Sequence, residues 1–196
     1  QAAKMLDTEI DRLDRVVKTF LEFSRPVELE REDVNLPELL ESVLASAKPG
    51  ITRAGVTLVK EIPASFPLIE LDKRLIEQSI LNLVLNACEC MTAGGRLTVT
   101  LDRIGDMAEI RVGDTGPGIA PENRAKIFQL FFTTRKGGTG LGLANTFRFV
   151  QLHNGSIEFD TEAGRGTTFR IELPMTRTTS PASNLRDYGQ PFARQT

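Results

Sequence analysis

Ile110-Arg111-Val112-Gly113-Asp114-Thr115-Gly116-Pro117-Gly118-Ile119 is the stretch on which the reading of the chain turns. Ile110 and Val112 alternate with their neighbours as in a strand, and the carboxylate of Asp114 stands where that strand ends. An ionised carboxylate only accepts hydrogen bonds, so it suits the donor edge of a base such as the amino group of adenine. Gly116 and Gly118 let the backbone turn sharply and approach a flat ligand, with Ile119 beside them. Alone, Asp-x-Gly-x-Gly also describes a tight surface turn, and the flanking sequence has to separate the two.

Upstream, Asp72 to Met91 reads as a long helix, apolar at Leu75, Ile76, Ile80, Leu83, Val84 and Ala87 and closed by Gly94-Gly95. Asn82 and Asn86 lie one turn apart on one of its faces. A buried amide without partners costs ~1–3 kcal/mol, so the pair either bonds to neighbouring loops or serves a ligand. An amide oxygen is a hard donor that suits Mg²⁺ sharing oxygens with a substrate's phosphates. Downstream, Gly137-Gly138-Thr139-Gly140-Leu141-Gly142-Leu143 opens a helix that runs to about Leu152. Its glycines let backbone N–H groups converge, and the helix N-terminus adds positive charge, which together make a seat for phosphates. No Gly-Lys-Ser/Thr follows and no strand leads directly in, which excludes the P-loop and the dinucleotide fingerprint. Between the glycine segments, Ile127 to Lys136 carries phenylalanines that anchor a long loop, with Arg135 and Lys136 next to the expected phosphates.

Further helical periodicity runs from Asn35 to about Ala47, with Pro37 in the first turn. Strands are expected at Gly55–Ile62, Arg96–Arg103, Met107–Gly113, Ser156–Asp160 and Thr167–Leu173. Residues 1–25 read as an amphipathic helix with a seam at Leu6, Ile10, Leu13, Val17 and Phe20, widened by Val16 and Phe23, which fits a helical bundle. Pro26 ends it. The acidic stretch 26–33 reads as a linker, 34–175 as one domain, and 176–196 as a disordered tail.

Charge and cysteine usage narrow the function class. With 24 basic against 26 acidic side chains the chain offers no basic footprint for nucleic acid or lipid, so binding must be local. No run approaches the ~18 apolar residues of a membrane span. Cys88 and Cys90 have no companion pair for a disulfide framework or zinc, which fits a reducing, cytoplasmic setting. The chain begins at Gln1 and holds a single histidine, His153, at a helix-to-strand turn where a structural role is expected.

The ordered set Asn82-Leu-Val-Leu-Asn86, Asp114-Thr-Gly-Pro-Gly118, Phe128-Gln-Leu-Phe-Phe132 and Gly138-Thr-Gly-Leu-Gly142 resembles the N, first glycine, F and second glycine boxes of two-component sensor histidine kinases. The resemblance spans residues 1–174, including Gly164-Arg-Gly-Thr-Thr-Phe169 as a closing strand. It implies an α/β fold of the α+β two-layer type, the Bergerat ATP-binding sandwich shared with gyrase, Hsp90 and MutL, with a mixed sheet and helices on one face, preceded by a long bundle helix, and it makes 34–175 the catalytic domain. It further implies ATP and Mg²⁺ as cofactors, with Asn86 holding the metal, Asp114 the adenine amino group, Gly116 and Gly118 shaping the base pocket and Thr167 assisting. The ATP lid would comprise Thr133, Thr134, Arg135, Lys136, Gly138, Thr139 and Gly140, flanked by Phe132 before it and by Leu141, Gly142 and Leu143 after it. Where many members carry lysine three residues after the metal asparagine this chain has Glu89, so Lys136, with Arg135 second, is the expected cation on the phosphates.

Gyrase-like relatives place a water-activating glutamate where this chain has Asn82, and a neutral amide cannot act as general base. Asn82 and Lys136 are therefore the candidate catalytic residues for phosphoryl transfer by positioning and charge neutralisation. The family's acceptor histidine segment is absent from the sequence, so the chain is expected to be a fragment that presents Mg-ATP to a histidine elsewhere in a longer, membrane-anchored or soluble parent. A response regulator receiver domain and a homodimer through the bundle are the implied partners. Two alternatives stand beside this: an autonomous protein kinase of the anti-sigma factor kinase type, and a nucleotide-dependent protein-binding module.

Overall fold

The computed structural model describes residues 27–135 and 138–175. The expected bundle helix over residues 1–25, Lys136 and the tail from 176 onward lie outside the described residues.

Alternation builds the sheet. β4 (Gly95–Ile104) buries Leu97, Val99 and Leu101, and β5 (Met107–Asp114) buries Ala108, Ile110 and Val112. Strands β2 (Val56–Glu61), β6 (Ser156–Glu162) and β7 (Gly166–Pro174) complete five strands in the order β2-β4-β5-β7-β6. Only β2 and β4 run parallel; the other neighbours are antiparallel, so the sheet is mixed as expected. Its outward residues form ion pairs, with Arg170 on β7 bonded to Glu158 on β6 at 2.7 Å. One face is thus polar and the other apolar, the condition for a two-layer sandwich.

The second layer is helical. In α1 (Leu36–Ala54) the buried stripe Leu36, Leu39, Leu40, Val43, Leu44, Ala47 and Ile51 repeats at three- and four-residue steps. The helix outruns its expected end at Ala47 and passes through Pro49, because Ile51 continues the stripe one turn later. Gly55, at φ 64°, then caps it with its N–H on the Ile51 and Thr52 carbonyls. α2 (Lys73–Cys90) packs on α1 and on α4 (Gly142–Leu152) and fills the centre with Ile76, Ile80, Leu83 and Val84. A single turn, α3 (Pro121–Arg124), lies in the long loop after β5.

One unexpected strand changes the reading of the acidic linker. β1 (Glu32–Val34) pairs antiparallel with β3 (Ile69–Leu71), so Glu32 and Asp33 belong to a two-stranded sheet on the domain. Asp72 fastens this sheet to the helices: its Oδ2 accepts from Glu30 N at 3.1 Å and its Oδ1 caps α2 through Leu75 N at 3.2 Å. Three residues were too short a run to stand out as a strand beside the charges around them.

Candidate functional site

A cavity of about 890 Å³ opens where the end of β5, the C-terminal half of α2, the start of α4 and residues 132–135 and 138–140 converge. That is the size of a pocket for a nucleotide-sized ligand. Its wall includes Asn82, Asn86, Asp114, Gly118, Ile119, Phe132, Thr133, Thr134, Arg135, Gly138, Thr139, Gly140, Gly142, Leu143 and Thr167. Four sequence segments that are far apart in the chain therefore meet in one place. Gly116 and Leu141 do not reach the wall: Gly116 stands behind Asp114, and Leu141 is the cap residue of α4.

At one end the Asp114 carboxylate is held from two strands. Its Oδ1 accepts from Gly116 N at 2.8 Å and from Thr167 N, on the adjoining β7, at 3.3 Å. Both bonds fall on the same oxygen, and among the described residues nothing donates to Oδ2. Burial pushes the carboxyl above the ordinary aspartate range, while the two N–H donors pull the other way. A fixed acceptor in half-apolar surroundings, beside Ile119 and Phe169, is what a flat heterocycle with an exocyclic amine requires.

The loop that follows is clamped by residues with no sequence motif of their own. Thr161 Oγ1 accepts from Ile119 N at 2.8 Å and lies 3.0 Å from the Thr167 hydroxyl. Arg124 bonds the Ile119 and Thr161 carbonyls at 3.3 and 3.4 Å. Gly118, at φ 76°, runs so close to β6 that a Cβ there would lie 2.4 Å from the Glu162 carbonyl oxygen.

The other end is built for anions. α4 has no side-chain cap, and its first residues, Gly142 and Leu143, line the cavity, so the helix N-terminus adjoins it without a capping side chain. Asn82 Nδ2 donates to the Gly142 carbonyl at 3.3 Å and ties the helix start to α2. Thr133 and Arg135 fold the segment into a turn, with Arg135 N on Thr133 Oγ1 at 3.1 Å. Phe131 N donates to Gly140 O at 2.9 Å and closes the segment at its base, Gly140 standing at φ 69° against the Phe131 backbone. Phe128 anchors the whole loop on Phe147, Phe159 and Phe169, with ring centroids 5.3 to 6.5 Å away.

Asn86 Oδ1 accepts from Arg135 Nη2 at 2.7 Å, and Arg135 Nη1 pairs with Glu89. Among the described residues no group of three or more His, Cys, Asp or Glu side chains is placed to cage a metal. One amide oxygen beside an anion seat nevertheless suits Mg²⁺, which keeps waters and takes further oxygens from phosphates. The residues thus fit a divalent ion that arrives with a nucleotide and do not fit a resident one.

Leu85, Cys90, Asn123, Ile127 and Phe169 also line the cavity and were not among the expected site residues. Spacing could have found two of them, since Asn82, Leu85, Asn86, Glu89 and Cys90 form one stripe on α2. His153 takes no part: it is 2% exposed, with Nδ1 donating to Phe149 O at 2.7 Å and Nε2 accepting from Asp72 N at 2.9 Å. Cys88 and Cys90 are free. No helix among the described residues is long and apolar enough to cross a membrane.

Comparison with known proteins gives the same picture. Residues 71–177 match the family model described as histidine kinase-, DNA gyrase B-, and HSP90-like ATPase. The sensor histidine kinase ZraS of Escherichia coli K12 is 35% identical over 175 residues, which cover 89% of this chain and 38% of ZraS. This chain therefore spans little more than a third of that relative's length. Among solved structures, full-length ShkA in complex with AMPPNP aligns with a TM-score of 0.71 and 31% identity, over 81% of this chain and 34% of ShkA. Histidine kinase ThkA in complex with the response regulator TrrA aligns with the same TM-score at 29% identity, over 88% of this chain and 50% of that one. Matched over more than half of its length by the family model, and by sensor kinases in sequence and fold, the chain belongs to the histidine kinase-, DNA gyrase B-, and HSP90-like ATPase family and, within it, to the sensor histidine kinases.

Proposed function

We propose that this chain binds Mg-ATP and presents its terminal phosphoryl group to a histidine carried on a separate helix, from which a response regulator receiver domain takes it. The adenine end is assigned to Asp114 with Thr167, Gly118 and Ile119. The phosphates are assigned to the start of α4 and to Thr133, Thr134, Arg135, Lys136, Gly138, Thr139 and Gly140. Mg²⁺ would be held by Asn86 and would neutralise charge on the transferred group. Residues 1–25 are assigned to a dimeric bundle, and the domain acts on the cytoplasmic side of any membrane its parent meets.

The observation that carries transfer rather than hydrolysis is the hydrogen bond from Asn82 to Gly142 O. It spends a neutral amide on positioning α4 beside the phosphate seat, where water activation would need a base. Among the described residues, the only other carboxylate on the wall besides Asp114 is Glu89, and it is paired with Arg135. A histidine nitrogen attacking in line, with ADP leaving, asks of the site only positioning and charge neutralisation.

The test mixes the full chain with Mg-ATP and a separately prepared histidine-bearing hairpin from its parent. Label passing from the γ-phosphate to the hairpin supports the proposal. Tight ATP binding with no label transferred would overturn it in favour of a nucleotide-dependent binding module.

A further inference from the structure

Glu89 and Arg135 face each other across the phosphate end of the cavity, one on α2 and the other on the turn at residues 133–135. Glu89 follows Asn86 by three residues, so the two side chains share a face of the helix. Arg135 is divided between them: Nη1 pairs with the Glu89 carboxylate, and Nη2 donates to Asn86 Oδ1 at 2.7 Å. The amide oxygen assigned above to Mg²⁺ is therefore already occupied by a cation of the chain itself. A guanidinium and a divalent ion repel each other and cannot both sit on that oxygen, so binding of a metal-nucleotide must displace Arg135.

We propose that Glu89 and Arg135 form a latch that holds the turn at residues 133–135 down on Asn86 in the nucleotide-free protein, and that Mg-nucleotide opens it by replacing the guanidinium on Asn86. This rests on the reading of the cavity as a Mg-ATP site. Glu89 is a positioning residue: it acts on nucleotide only through Arg135. The displaced guanidinium, with five donors in a planar fork, becomes available to the phosphates that displaced it. The same event therefore exposes the metal ligand and supplies a counter-charge. Affinity is reduced by the fraction of molecules in which the latch is closed. Both side chains are partly exposed, Arg135 at 40% and Glu89 at 58%, so the effect is that of a surface pair, about twofold to fivefold in nucleotide affinity.

A double-mutant cycle separates this from simple repulsion between Glu89 and the phosphates. Binding of Mg-ATP to the full chain is measured for Glu89→Gln, Arg135→Gln and the double variant. Glu89→Gln should tighten binding about twofold to fivefold, and the gain should vanish in the Arg135→Gln background. An equal gain in both backgrounds would mean repulsion only and would overturn the latch. Without nucleotide, Glu89→Gln should speed amide exchange in the segment around Arg135 while leaving exchange in α2 and β5 unchanged; an unaltered rate there overturns the proposal. If the unsubstituted chain binds no ATP, the site assignment fails, and the exchange measurement, made without ligand, still decides the latch.

Discussion

His153 Nε2 accepts the backbone N–H of Asp72 at 2.9 Å, joining the C-terminal end of α4 to the N-terminal end of α2. Because Nδ1 lies 2.7 Å from the Phe149 carbonyl and must donate to it, the ring is the neutral Nδ1–H tautomer. Burial lowers its pKa below the ordinary 6.5, outweighing the Phe149 bond that raises it. Protonation would turn the acceptor nitrogen into a donor aimed at an N–H. The unfolded chain takes up that proton near pH 6.5 and the folded one only at lower pH. The stabilisation is thus complete above the unfolded value and is lost as pH falls through it toward the folded pKa. Urea unfolding between pH 8 and 5 should show stability dropping below pH 6.5. His153→Gln should lower stability by roughly 1–2 kcal/mol at pH 8 and flatten that dependence.

The Asp114 carboxyl carries the opposite sign. Its folded pKa is raised, mainly by burial. Its contribution to stability is present below the ordinary aspartate value and is lost as pH rises through the folded pKa, so at neutral pH the charge is a cost. Asp114→Asn should therefore leave stability at pH 7 unchanged or improved while weakening ATP binding roughly tenfold or more, since the acceptor for the amino group is lost. GTP carries a carbonyl at C6 where ATP carries this amine, and calorimetry should show its weak binding little changed. Equal losses for the two nucleotides would remove Asp114 from adenine recognition.

These two side chains mark how far the sequence can be read. Asp114, Asn86 and the glycines could be found because their chemistry needs particular residue types at fixed places relative to a strand end and a helix face. The alternation of β4, β5 and β7 and the stripe of α2 were equally visible in the hydrophobic period. The side chains of Asp72, Thr161 and Arg124 were not, because each bonds a backbone atom of a distant segment, Glu30 N, Ile119 N and the Thr161 carbonyl respectively. Any sequence presents many such threonines and arginines, and only tertiary placement picks out the ones that matter. The passage of α1 through Pro49 was hidden for a related reason: burial of Ile51 outweighs a local signal to stop.

Thr161 offers a direct check on this long-range support. Its hydroxyl accepts from Ile119 N and has one proton to give, to Gly166 O at 3.2 Å or to Thr167 Oγ1. Thr161→Val keeps the shape but leaves the Ile119 N–H without its acceptor, at a cost of about 1–2 kcal/mol. The loop carrying Gly118 and Ile119 should then loosen, and ATP affinity should fall severalfold. Thr161→Ser, which restores the oxygen, should recover most of both losses. Recovery of stability without recovery of affinity would mean that the loop does not shape the base pocket.

Asn86→Ala separates metal binding from the rest of the site. Asn86 lies in α2, where alanine is the better helix former by about 0.5 kcal/mol, so thermal stability should hold or rise slightly. Arg135 keeps its pairing with Glu89, and nothing that contacts the base is altered. Affinity for ATP in EDTA should therefore stay near that of the unsubstituted chain or rise slightly, since the latch loses its contact with Asn86. In Mg²⁺ it should fall roughly tenfold or more, because a charge-assisted contact worth about 1.5–3 kcal/mol is lost. The diagnostic quantity is the ratio of the two affinities measured on the same protein, which a general loosening of the fold would leave unchanged. A variant that retained the full Mg²⁺ enhancement would require the metal to be held by oxygens other than the Asn86 amide.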